Sequence, residues 1–143
     1  MTQVLSEQDF ADAAERLGCS IPAIKAVCEV EAPRGGFNPD NTLATLFEAH
    51  KFHRFTDGKY DESHPNLSSP RWNRALYGKS WRAERARLAE AAALDPVAAI
   101  MATSWGRFQI MGFNCAKVGF TDPADMVNAF ATGERAQLMA FCA

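Results

Sequence analysis

Ser20-Ile21-Pro22-Ala23-Ile24-Lys25-Ala26-Val27-Cys28-Glu29-Val30-Glu31-Ala32-Pro33 is the stretch whose reading decides the rest. Ser20 offers a side-chain oxygen to the first free amides of a helix, and Pro22 is tolerated in a first turn whose N–H groups lack intrahelical acceptors. Pro33 disfavours helix in the residue before it, so the spacing predicts a helix over Ile21–Glu31. At about 100° per residue, Ile21, Ile24, Val27 and Cys28 share one side. Glu31, seven positions after Ile24, returns to that side, directed at the core or at a cleft cut into it. Glu29 points away, four residues after Lys25, where a weak surface pair forms. A carboxylate on the apolar side loses hydration, which raises its pKa, and the negative end of the helix pushes the same way. An acid kept protonated near neutral pH is what proton donation to a leaving group requires. The alternative is a buried structural acid paired with Arg34 or another base.

Outward from this helix, Ser6 caps a helix over about Glu7–Leu17, and Gly18 fits its C-terminus. Thr42 to Phe47 has the β-branched, alternating character of a short strand. Phe47 to Phe55 fits either a helix or an extended segment. Residues 56–78 are rich in Gly, Pro, Ser, Asn and Asp and read as a long irregular excursion, a kind of segment often functional in compact domains. Trp81–Ala93 is a run of good helix formers. Asp95-Pro96 opens a further helix to about Met101, and Asp122-Pro123 repeats that signal. Asn114–Val118 reads as a short helix ending at Gly119, and Glu134–Phe141 as the last helix. The expected fold is mostly α, a single domain over residues 1–143, with room for a small β-hairpin or irregular lobe beside a groove.

Composition narrows the function classes. A chain of 143 residues supports one core, and 48% hydrophobic with 22% charged residues is ordinary for a globular protein. No run approaches the ~20 apolar residues of a membrane span. Met1 to Glu7 has no basic and no long apolar region, so the expected product is cytoplasmic as synthesised. The net charge is −2. Trp81 to Arg87 mixes signs and reads as a solvated helix face rather than a nucleic-acid patch. A helix-turn-helix reading of Phe10–Val27 would make Ile21–Glu31 the recognition helix, whose one Lys and two Glu are a poor match for phosphates. Cys19, Cys28, Cys115 and Cys142 show no C-x-x-C spacing and are expected as reduced thiols. His50-x-x-His53 lacks the spacing and the Glu of a zinc helix, so neither metal nor cofactor is expected.

A second run, Ser104-Trp105-Gly106-Arg107-Phe108-Gln109-Ile110-Met111-Gly112, combines small, aromatic and amide residues. Gly106 allows close backbone approach. Ser104 and Gln109 suit sugar hydroxyls and acetamides, and Trp105 or Phe108 suits a ring face. A packed core helix with Phe108, Ile110 and Met111 inward is the other reading. Taken with the acid on the helix over Ile21–Glu31, the run points to carboxylate chemistry on a sugar polymer.

Six segments stand in order, the run lying within the last: Ala26 to Glu31, Gly35-Gly36-Phe37, Leu46 to Phe52, His64 to Ser68, Leu88 to Leu94 and Ala102 to Asn114. In order and spacing the chain resembles, nearly end to end, the phage and prophage N-acetylmuramidase family of modular endolysin catalytic domains. That resemblance implies a lysozyme-like helical domain with a glycan groove. It also implies bacterial peptidoglycan strands as partner and cleavage of the β-1,4 bond between N-acetylmuramic acid and N-acetylglucosamine. Glu31 matches the family's acid position, followed by Ala32 where transglycosylase relatives have Ser. Glu48 is expected to orient a water or stabilise positive charge, or else to pair with Arg54 or His50. Ser104, Trp105, Gln109 and Met111 are the expected substrate contacts. A lytic transglycosylase using the same acid is the nearest alternative, because sequence does not place a second carboxylate. Relatives continue past the last helix into a Tyr-Asn-Gly segment, so a short C-terminus, with an inactive wall-binding remnant as its extreme, is a further expectation. A monomer acting on the wall after release completes the picture.

Overall fold

Helix α1, Glu7–Leu17, begins where Ser6 and Asp9 cap one another reciprocally: the Ser6 hydroxyl accepts from the Asp9 amide and the Asp9 carboxylate from the Ser6 amide. Helix α2, Ile21–Glu31, starts at Ser20, whose oxygen accepts from the Ala23 amide at 3.2 Å. These contacts come from a computed structural model that describes residues 4–143. Met1–Gln3, part of the stretch read for export signals, lie outside the described residues. Ala13 and Ala14 of α1 pack with Ile24 and Cys28 of α2 and with Leu138 of the last helix. Small side chains at this crossing let the first and last elements of the chain meet.

Strand β1, Thr45–Phe47, is followed by helix α3, Ala49–Phe55, which settles the ambiguous segment as helix. The helix forms because Ala49 and Phe52, three apart, are both buried in one apolar cluster. Turns and a 3-10 helix at Arg74–Leu76 then carry the chain through the irregular excursion. Leu67 is fully buried within it, and the Ser68 hydroxyl donates to Asp61. Helices α4, Trp81–Leu94, and α5, Pro96–Met101, follow; Asp95 ends the first and caps the second, accepting from the Ala98 amide at 3.0 Å.

Strands β2, Thr103–Trp105, and β3, Ile110–Met111, form a hairpin that joins β1 in a three-stranded antiparallel sheet ordered β1-β2-β3. Thr45 faces Trp105, and Ser104 faces Met111. The Ser104–Gly112 run is therefore a hairpin and not a core helix. A 3-10 helix at Gly112–Val118, then helices α6, Pro123–Ala131, and α7, Glu134–Phe141, close the fold. Mostly α with one small hairpin is the fold class read from the sequence. Among the described residues no helix is long and apolar enough to cross a membrane.

Candidate active site

A cleft of about 520 Å³ opens where four segments meet. The loop after α2 contributes Arg34, Gly35 and Phe37–Pro39, and the β1 strand with its lead-in contributes Ala44–Leu46. Gly78–Trp81 and Glu84 form another wall, and the hairpin supplies Gly106, Arg107 and Gln109. That volume falls within the range that holds small ligands or a few sugar rings.

Glu31 ends α2, three residues before Arg34. It is exposed and has no hydrogen-bond or ion-pair partner among the described residues. The expected burial therefore fails. Ile24, Cys28 and Ala32 form the buried row, while Ile21 and Val27 are 36% and 40% exposed. The buried row advances in steps of four residues and so drifts around the helix, which leaves Glu31 on the uncovered flank of Ile24's side at the last turn. Glu29 is exposed as well, and the expected pair with Lys25 is absent: Lys25 Nζ reaches Glu7 Oε1 at 2.6 Å instead.

The end of α2 is fixed from the hairpin. Arg107 Nε donates to the Ala32 carbonyl at 3.1 Å, and its Nη1 pairs with Glu134 at 3.2 Å. Glu134 is 2% exposed and accepts a second hydrogen bond from the Gly36 amide at 2.6 Å. Gln137, fully buried, accepts from the Arg107 amide at 2.7 Å and donates to the Phe130 carbonyl at 3.0 Å. A methyl group on Gly36 would lie 2.2 Å from Gln137 Oε1, and one on Gly106 would lie 2.7 Å from it. Both glycines thus make the seat for this side chain, and Gly106 also needs its left-handed φ of 76° to turn the hairpin. Cys28 lies close enough to Arg107 and Glu134 to feel both charges, but burial dominates and pushes its thiol up.

Residues 20–143 match the N-acetylmuramidase family. The chain belongs to that family. It is also similar to the crystal structure of a Burkholderia AP3 phage endolysin, at 36% identity and a TM-score of 0.89. The match covers 98% of this chain and 53% of the endolysin, so the chain spans about half of that protein's length. No curated protein matches it.

Within this muramidase domain the sequence-predicted site residues are dispersed. Gln109 lines the cleft, with its side-chain amide donating to the Gly106 carbonyl at 2.8 Å. Ser104 is 7% exposed and its hydroxyl donates to Met111 Sδ at 2.8 Å, within the sheet. Met111 lines a second, shallower hollow of about 340 Å³ with Lys117 and Phe141, which Gln109 also borders. Trp105 is 7% exposed, packed with Met126 and Phe130, and its ring N–H donates to the Ile100 carbonyl. Phe108 stacks on Phe141 with centroids 4.6 Å apart. The aromatic rings in the cleft wall are Phe37 and Trp81 instead.

Glu48 stands at the N-cap position of α3 without a side-chain cap hydrogen bond, its side chain 16% exposed. Its Oε2 accepts from the Tyr77 hydroxyl and lies 3.5 Å from His50 Nδ1. Tyr77 in turn accepts from the Trp72 ring N–H at 2.8 Å. Burial, reinforced by the Glu48 carboxylate, pushes the Tyr77 phenol up to about 12, so it remains a donor. Leu46, two residues before Glu48, lines the cleft, as does Gly78 beside Tyr77.

Glu84 is the one carboxylate among the residues lining the cleft, and sequence reasoning placed it on a solvated helix face. That reading is corrected: Glu84 is 6% exposed. It accepts from the Phe47 amide at 3.1 Å and from the Gly78 amide, and pairs with Arg87 at 3.1 Å. Its neighbours Arg82 and Arg85 are exposed, as a solvated face requires. Nothing in the mixed-sign pattern marks the one inward acid; only the strand and the excursion arriving at its oxygens do. Arg107 stood inside the quoted motif, but its partner Glu134 read only as the start of a helix.

Proposed function

We propose that this domain cleaves peptidoglycan glycan strands at the β-1,4 bond between N-acetylmuramic acid and N-acetylglucosamine, with Glu31 as general acid. The observation that carries this reading is the unpartnered carboxylate of Glu31, three residues before the cleft residue Arg34 and on a helix end clamped by Arg107, in a chain of the N-acetylmuramidase family. A carboxylate at a helix C-terminus is mildly disfavoured electrostatically and makes no structural contact here, which leaves it free for chemistry. The proton passes to the glycosidic oxygen as the bond breaks through an oxocarbenium-like state. Glu48 is the supporting carboxylate in this reading, held by Tyr77 and His50 to orient water or stabilise the developing positive charge. Ser104, Trp105, Gln109 and Met111 then serve as a layered wall: Gln109 touches glycan, and the other three hold the hairpin that presents it.

Glu31→Gln tests the assignment. Lysis of purified sacculi falls by about a hundredfold or more, while full retention would remove Glu31 from the mechanism. A lytic transglycosylase is the second reading, favoured by one observation: Glu84, the carboxylate in the cleft wall, is committed to two amides and Arg87. Mass spectrometry of the products decides between them. Hydrolysis adds water, whereas attack by the muramyl 6-hydroxyl gives an anhydro end.

A further inference from the structure

The cleft is more basic than the chain that builds it. The whole sequence carries a net charge of −2, yet the lining includes Arg34, Lys79 and Arg107 against the single acid Glu84. Two of these four charges are neutralised from behind: Glu84 by Arg87, and Arg107 by Glu134. Asp40, next to the lining residue Pro39, is paired with Arg85 at 2.6 Å. What remains are Arg34 and Lys79, both exposed and neither with a partner among the described residues. They arrive from separate segments, one from the loop after α2 and one from the end of the irregular excursion. Trp81, two residues after Lys79, adds an aromatic ring to the same wall.

A polymer of N-acetylglucosamine alone is neutral and gives two cations nothing to bind. A muramyl residue differs by its lactyl substituent, which ends in a free carboxylate or continues into an acidic peptide. Like-signed side chains in a concave wall raise the local concentration of such anions. We propose that Arg34 and Lys79 bind a carboxylate of the muramyl substituent and so make the cleft select substituted glycan over plain N-acetylglucosamine polymer. The proposal takes its ligand from the muramidase reading and rests on it.

The test uses the full chain carrying Glu31→Gln, so that ligands are bound and not consumed, with and without Arg34→Gln/Lys79→Gln. Calorimetry compares three saccharides of equal length: muramyl glycan with its peptides, the same glycan stripped by an amidase to the lactyl carboxylate, and an N-acetylglucosamine oligomer. The expected result is tighter binding of the muramyl ligands, with the double substitution reducing that preference by about fivefold to tenfold and flattening its salt dependence. Arg34→Lys/Lys79→Arg retains it. A preference that disappears with the peptide assigns the peptide's carboxylates; one that survives stripping assigns the lactyl group. Equal affinity for all three ligands, or an undiminished preference in a double variant of unchanged Tm, overturns the proposal. Digestion of sacculi by the unsubstituted chain judges the muramidase reading separately. Cleavage without preference defeats only the present inference, and preference without cleavage defeats only the other.

Discussion

Glu31 and Glu134 stand at opposite extremes of exposure, and the difference separates chemistry from architecture. Glu134 is 2% exposed, and Arg107 and the Gly36 amide satisfy its oxygens. Removing one member of a buried pair strands the other, so Glu134→Ala is expected to destabilise by about 3–5 kcal/mol in urea unfolding. Glu31 has no such partner, so Glu31→Gln should leave unfolding within about 0.5 kcal/mol of the parent while lysis is lost. Glu31→Gln is thus expected to separate activity from stability. Arg107→Lys probes the link between them. One ammonium cannot reproduce a planar fork that reaches Ala32 and Glu134 at once. A lowered Tm and a lowered kcat together are expected, and an unchanged kcat would show that the clamp on α2 does not position Glu31.

Elements turn these contacts into a site, and the hairpin matters most. Gly106 is pressed by a conformation and by a neighbour: its φ is 76°, and a Cβ would lie 2.7 Å from Gln137 Oε1. Gly106→Ala should therefore cost about 2–4 kcal/mol, combining left-handed strain with overpacking, read as a fall in Tm and in lysis. The capping signals at Ser6, Ser20, Asp95 and Asp122 predicted helix starts that the structure reproduces, because a cap is a local bargain between one side chain and amides two or three residues on. Strand pairing is not local. The pattern around Ser104 left a helix and a groove wall open; the run folds back on itself as a hairpin, and its seat in a sheet comes from Thr45–Phe47, far back in the chain. The same limit explains Glu84 and Glu134, whose partners lie 37 and 98 residues away at Phe47 and Gly36. It explains Glu31 as well: helix phase gives a side, but which flank of that side is covered depends on what packs there.

At the scale of the whole molecule, Arg135 ties the last helix to the first. Its Nη1 lies 2.9 Å from Asp9 Oδ1 and 2.7 Å from Asp12 Oδ2. Burial pushes the Asp9 carboxyl up, but the Ser6 amide, the Arg135 guanidinium and the Ser6 hydroxyl outweigh it and hold the group below its ordinary value of 3.8. Asp12 is held down too, first by Gln8 and then by Arg135. A carboxylate with a lowered folded pKa leaves the unfolded chain binding more protons, so stability rises with pH across the interval between the two values. The contribution is complete above 3.8 and is lost as pH falls through the lower, folded value. Arg135→Gln should therefore lower Tm at neutral pH, and the Tm curves of parent and variant should converge as the solution is acidified below 3.8. Curves that stay parallel into acid would mean that Arg135 acts through packing and not through its charge. The consequence reaches the site because α7 carries both this clamp and Glu134. Acid that frees α1 from α7 loosens the helix that holds Arg107, and with it the end of α2 where Glu31 stands.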